Sequence, residues 1–153
     1  MTPAFTVRQA SLEDAADIAR LSLQLDPSLE PTTITQRFSR LLARPTHAFF
    51  VLIGTNGIDG TDDIVGFVAA EHRSLLQFGE RVELVALVVD HAHRRRGAGL
   101  ALVSAAEAWA SRRAVAEVVV RSSLARDASH PFYQRIGYAH HKTQHVYTRS
   151  LTP

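Results

Sequence analysis

The sequence predicts a mixed α/β fold of the α+β kind, layered and built as a single domain over residues 1–153. Three observations predict it. Apolar, β-branched runs alternate along the chain with runs of helical spacing. The longest strand-like run, residues 81–89, stands just before the longest helical run, residues 97–113. Proline, glycine and aspartate cluster between the runs and punctuate them.

The elements follow in order. Residues 5–10 alternate like a short strand. Ser11 and the acidic Glu13 and Asp14 then read as a helix cap, with Leu12, Ala15, Ala16, Ala19 and Leu23 at helical spacing. Asp26-Pro27 and Glu30-Pro31 make a loop, and a second helix is expected over 33–43, ended by Pro45. Residues 48–53 and 64–73 read as two strands joined by a polar hairpin turn at 54–63. The Val-rich strand at 81–89 and the long helix at 97–113 come next. A strand at 117–121 and a short helix at 129–136 closed by Gly137 follow. Residues 138–151 read as one or two terminal strands.

Composition narrows the class. The 153 residues are 46% hydrophobic and 21% charged, as in a water-soluble globular protein. There is no cysteine, which excludes disulfides, thiolate metal sites and a cysteine nucleophile. The net charge of +2 is small and its positive part is local, so no nucleic-acid partner is expected. No apolar run reaches bilayer length and the first residues lack a signal-peptide pattern. The expectation is a cytoplasmic protein without a membrane partner.

Arg94, Arg95, Arg96, Gly97, Ala98, Gly99 and Leu100 carry the chemistry. They lie where the strand gives way to the helix. Free backbone N–H groups and the helix dipole favour an anion there. Two glycines allow close approach, and arginines add bidentate donors for phosphate. The pattern is not a dinucleotide fingerprint, because Leu102 stands where a third glycine is needed. No Gly-Lys-Ser/Thr phosphate loop is present.

Two motifs together give this turn its meaning. Arg94-Arg95-Arg96-Gly97-Ala98-Gly99 fits Arg/Gln-x-x-Gly-x-Gly/Ala. Downstream, Phe132-Tyr133-Gln134-Arg135-Ile136-Gly137-Tyr138 fits Phe-Tyr-x-x-x-Gly-Tyr/Phe. With these motifs and its N-terminal βαα unit, the chain resembles the GNAT superfamily of N-acetyltransferases that use acetyl-coenzyme A. The resemblance implies a central mixed, mostly antiparallel sheet flanked by about four helices. It implies acetyl-CoA as cosubstrate, with its pyrophosphate on the backbone amides of Arg96 to Leu100. It also implies a bulge that splays the central strand, so that Leu87, Val88 and Val89 face the acetyl and pantetheine groups. The exposed amide is then that of Val88 or Val89. Ser123, Arg126 and Phe132 join this cofactor set. The chain departs from the family where Arg126 replaces a frequent asparagine and Ser129 a frequent alanine. Arg126 and His130 match a variant pattern found in members acting on small amines.

Acetyl transfer to an amine needs a neutral amine, a donor to the thioester oxygen and a proton for the departing thiolate. Tyr133 is the candidate acid, since a phenol near pKa 10 can protonate a thiolate whose acid lies near 8.5. The competing reading is a core aromatic, with Phe132 as the expected packing residue. Glu83 is the candidate base, on a face shared with Arg81, Val85 and Leu87 until a bulge resets the phase. An apolar setting would raise its pKa. The competing reading is a sheet charge paired with Arg81 or Arg73. Glu71 is a second base candidate. Asp26 and Glu30 are loop acids on the acceptor side by resemblance, or solvated charges. Ser122 reads as a loop start.

Of eight histidines, His91 and His93 have a ligand-like spacing, but no third ligand follows and a basic turn adjoins them, so no metal is expected. His130 stands near Tyr133, either lining the site or on a helix surface. The function expected is transfer of acetyl from acetyl-CoA to the primary amine of a small molecule, in a ternary complex. Peptide acetylation and a non-catalytic acyl-CoA sensor are the rivals. A homodimer is compatible with the resemblance.

Overall fold

A computed structural model describes residues 5–55, 62–94, 96–126 and 128–152. The chain divides into two compact units, Met1–Arg121 and Ser122–Pro153. Among the described residues the first holds five strands: β1 (Phe5–Gln9), β2 (His47–Thr55), β3 (Asp62–Leu75), β4 (Gly79–Val89) and β5 (Val118–Val120). They form one sheet in the order β1-β2-β3-β4-β5. Every neighbouring pair is antiparallel except β4 with β5, which is parallel. Three helices accompany the sheet: α1 (Ala15–Ser22), α2 (Pro31–Leu42) and α3 (Ala98–Arg112). This is the mixed, mostly antiparallel sheet with helices that the resemblance implies.

Local chemistry sets the ends. The Ser11 N–H donates to Asp14 Oδ2 at 2.8 Å, and the two Asp14 oxygens accept from Arg8 Nη1 and Nη2 at 2.7 and 2.8 Å. β1 is thereby tied to the start of α1 through one buried carboxylate. The helix α2 starts at Pro31, two residues before the expected start, because proline fits the first helical position, where no N–H is needed. β3 and β4 meet in a tight turn with Gly79 at φ +74°. The expected hairpin turn between β2 and β3 falls largely on residues 56–61, outside the described residues.

The two faces of the sheet bury different helices. Ile18, Leu21 and Phe38 of α1 and α2 cluster with Phe49, Val51, Phe67, Ala69 and Val88. Phe38 and Phe49 meet edge to face, with centroids 5.0 Å apart. The opposite face takes α3. A Cβ built at Gly66 lies 3.3 Å from Leu102 Cδ1 and 2.7 Å from the Val88 carbonyl oxygen. Arg113, just past α3, donates from Nε to His72 Nδ1 at 2.7 Å. Residues 66 and 72 therefore face α3, and 67 and 69 face α1 and α2, as strand alternation requires.

The second unit holds α4 (Ser129–Arg135), followed by Gly137 at φ +103°. The terminal strands expected for residues 138–151 are not found among the described residues. Val146, Tyr147 and Leu151 are exposed there. A strand needs a ladder partner and one buried face, and this mostly polar stretch supplies neither.

Candidate active site

The site in the first unit begins as an irregularity in β4. The β3–β4 register pairs Ala69 with Ala86 but Ala70 with Leu84, so Val85 has no partner. Such a one-residue insertion bends its strand and resets which face each side chain takes. Glu83 consequently shares the α1 and α2 face with Glu71, while Leu87 points to the α3 face. The expectation that Glu83, Val85 and Leu87 share one face holds only up to this bulge.

The pairing of β4 with β5 ends at the same point. It covers Val82 with Val118, Glu83 with Val119 and Leu84 with Val120. From Val85 to Val89, β4 has no register partner in β5. The Asp90 N–H donates to the Val65 carbonyl at 2.8 Å, so the N–H of Asp90 points toward β3. Alternation then directs the backbone of Ala86 and Val88 to β3 and that of Leu87 and Val89 to the unpaired side. Of the two amides expected to be exposed, Val88 is engaged with β3, and Val89 faces the split.

The connection into α3 is held at several points. The side-chain amide of Gln24 donates to Asp90 Oδ1 at 2.9 Å, and His93 Nδ1 lies 3.5 Å from Asp90 Oδ2. The Gln24 amide, and then His93, hold the Asp90 carboxyl below its usual range, against the effect of burial. His91 and His93 sit in a single 3-10 turn. Among the described residues no group of three or more His, Cys, Asp or Glu could hold a metal ion. Arg94 Nε donates to the Val89 carbonyl at 2.9 Å, closing the loop onto the end of β4. Arg95 lies outside the described residues.

Gly97 caps α3 with φ +81° and ψ 7°, the left-handed region that favours glycine. A Cβ built there would meet nothing within 4 Å, so the space beside it is open. The first helical bond runs from the Ala101 N–H to the Gly97 carbonyl at 3.1 Å. The amides of Ala98, Gly99 and Leu100 precede it and have no intrahelical acceptor. With exposed Arg96 and Arg94 close in sequence, they form a cluster of donors under positive charge. This arrangement fits a phosphate or pyrophosphate.

Glu83 is buried, with its side chain 12% exposed. Its setting differs from the apolar one expected. Arg73 Nη1 and Arg121 Nη1 lie 3.5 and 3.2 Å from Glu83 Oε1. Arg73 is one of the two partners that the sequence offers for a sheet charge at Glu83. Arg81 instead approaches Glu117 at 3.8 Å and stacks over Phe78. Arg121 is a second partner, which no motif in the sequence announces. The alternation Glu117-x-Val119-x-Arg121, set against Glu83 through Val119, is the signal that marks it.

In the second unit, Ser123, Arg126, Phe132 and Tyr133 fall in one short segment. The Arg126 N–H donates to the Ser123 carbonyl at 3.0 Å, and the Ser129 N–H to that of Arg126 at 3.0 Å. Phe132 and Tyr133 are both half-buried, so burial does not divide them into a packing and a site residue. The Tyr133 ring lies 5.1 Å from that of Phe132 and 5.9 Å from that of Tyr138. Burial pushes the Tyr133 phenol above its usual pKa, and the charge of Arg126 opposes the shift. His130 Nε2 is buried without a hydrogen-bond partner among the described residues.

A bulged fourth strand, a split beside it and a glycine-led helix start define an N-acetyltransferase type of fold. A family model described as the acetyltransferase (GNAT) family matches residues 13–138, and the chain belongs to that family. No curated protein sequence matches. Among solved structures, an aminoglycoside N-acetyltransferase, AAC(6')-Iy, in complex with CoA is similar at 20% identity. That likeness covers 97% of this chain and 95% of the other, with a TM-score of 0.82. The 6'-N-acetyltransferase AAC(6')-Ih from Acinetobacter baumannii is 18% identical over 97% and 99% of the two chains, with a TM-score of 0.81. Glucosamine-6-phosphate N-acetyltransferase from Arabidopsis thaliana is 18% identical over 95% and 99%, with a TM-score of 0.74. These likenesses show the fold. Among the described residues no helix is long and apolar enough to cross a membrane.

Proposed function

We propose that this protein transfers the acetyl group of acetyl-CoA to the primary amine of a small molecule, with residues 1–153 acting as one catalytic domain. The observation that carries the reading is the left-handed Gly97 at the start of α3, beside the unpaired end of β4. The amides of Gly97 to Leu100, with Arg94, Arg95 and Arg96, hold the pyrophosphate. The Val89 N–H and the backbone of Leu87 orient the pantetheine and acetyl groups. Ser123, Arg126 and Phe132 serve the same ligand. Bound acetyl-CoA supplies an activated thioester.

The remaining chemistry belongs to side chains. The amine nitrogen forms a bond to the acetyl carbon while the carbon–sulfur bond breaks. An alkylammonium has a pKa of about 10.4, so the amine must lose a proton before it attacks. Glu83 accepts that proton through water. Attack leaves a second proton on the nitrogen. Tyr133 protonates the departing thiolate and regains a proton from that nitrogen through solvent, so amide and thiol leave neutral. The raised pKa of the phenol keeps it protonated beforehand.

The test mixes the protein with acetyl-CoA and a panel of amines and follows free thiol. Release with small primary amines, and not with peptides, supports the reading. Release with peptides alone would assign a peptide acetyltransferase. Tight coenzyme binding without release on any amine would identify a sensor.

A further inference from the structure

The charges around Glu83 are arranged in rows across the sheet. Glu71 of β3 stands directly opposite Glu83 of β4. Arg73 stands directly opposite Arg81, one step further from the split on the same face. Like charges facing each other across strands are unfavourable unless something offsets them. Part of the offset is internal, since Arg73 reaches diagonally to Glu83 and Arg121 reaches it from beyond β5. Each guanidinium turns Nη1 toward the same oxygen, Glu83 Oε1, and each carries five N–H donors in all. Their side chains are 32% and 56% exposed, so donors remain open to an incoming anion.

The place of these rows matters. Glu83 pairs with Val119 one residue before the last β4–β5 pair, so the acidic row borders the split. The anion turn belongs to α3, on one face of the sheet, and Glu71 and Glu83 lie on the other. An acceptor at the split on that second face meets Glu83 and Glu71, with Arg121, one residue past the last β4–β5 pair, beside them and Arg73 one row behind. The two rows are two residues apart along the strand, roughly 6–7 Å.

We infer that the acceptor is zwitterionic: a small primary amine carrying a carboxylate or phosphate several ångströms from the nitrogen, with Glu71 and Glu83 facing the amine and Arg73 and Arg121 the anion. This inference rests on the proposed acetyl transfer for its reaction and on the charge rows for its substrate class. A polycationic amine would place surplus positive charge beside two arginines, at a cost.

The test uses matched pairs: glucosamine 6-phosphate against glucosamine, and 4-aminobutyrate against butylamine, with spermidine as a polycation. Thiol release gives kcat/KM, and calorimetry gives binding of each amine to the protein. The anionic member of at least one pair is expected to be favoured by about tenfold or more, mainly through KM. The preferred pair distinguishes phosphate from carboxylate. Arg121→Gln and, separately, Arg73→Gln should bring that ratio toward one, and Arg121→Lys should restore part of it. Thermal melts confirm that each variant is folded. Turnover without preference for the anion, or a preference that survives both glutamine variants, overturns the inference and leaves acetyl transfer standing. Arginine-dependent binding of the anionic amine without thiol release overturns acetyl transfer and leaves the substrate class standing. Absence of binding and of turnover for every anionic amine overturns the inference.

Discussion

The Nε of Arg94 donates to the carbonyl oxygen of Val89 at 2.9 Å, joining the first residue of the basic turn to the last residue of β4. Val89, like Leu87, also turns its backbone to the unpaired side of the strand. One side chain thus fixes the turn relative to the split. Lysine has a charge but no Nε–H fork, so Arg94→Lys separates the two roles. Coenzyme A affinity should fall about tenfold by calorimetry, the worth of one charge-assisted hydrogen bond. Unchanged affinity would show that only the charge matters.

Tyr133→Phe removes the phenolic proton and keeps the ring. The expected loss in kcat is roughly 10²-fold or more, with coenzyme A affinity nearly unchanged. Because the phenol's pKa is raised, it remains a proton donor at higher pH than a free tyrosine does. Any alkaline fall in rate due to this group should therefore begin above the ordinary tyrosine value. Wild-type turnover in the variant removes the acid role.

Asp14 links stability to pH. Arg8 and the Ser11 N–H hold its carboxyl below the usual value, against the effect of burial. A depressed folded-state pKa stabilises the protein above the unfolded value, near 3.9, and that stability is lost as pH falls through the folded value. Asp14→Asn should lower stability at neutral pH by about 1–2 kcal/mol, the usual cost of a lost cap. It should also flatten the dependence of Tm on pH in the acid range. Parallel Tm curves for the two proteins would contradict this.

Gly66 tests the close approach of β3 and β4. An alanine Cβ would stand 2.7 Å from the Val88 carbonyl oxygen, a backbone atom that cannot rotate away. Gly66→Ala should cost about 1–3 kcal/mol in urea unfolding. A neutral result would mean that β4 shifts freely at Val88.

How far the sequence could be read follows from the range of the forces involved. Gly97 was legible as a motif glycine that allows close backbone approach, and its left-handed φ is a local demand that few other residues meet. The strand β4 was legible from its run of valines and leucines, and its bulge from resemblance. The pairing of Glu83 with Arg121 was not, because it depends on the parallel register of β4 with β5. The apolar neighbours written around Glu83 along the strand are not the groups that meet its carboxylate across strands. The terminal stretch failed for a related reason. Residues 138–151 were expected to form one or two strands, but β-propensity without a ladder partner makes none. The start of α2 was misplaced because Pro31 was read as a breaker when proline also opens helices.

Two glycines offer a matched comparison for the central claim that the turn before α3 holds the acyl donor. Gly97 and Gly79 have φ of +81° and +74°, and an added Cβ at either meets nothing within 4 Å. Alanine at either position should cost a similar 1–2 kcal/mol of backbone strain. The decisive measurement is calorimetric titration of acetyl-CoA into the wild type, Gly97→Ala and Gly79→Ala. Saturable binding to the wild type and to Gly79→Ala, with affinity at least about tenfold weaker in Gly97→Ala, is the predicted result. Equal affinity in all three, or no binding to the wild type, would contradict it.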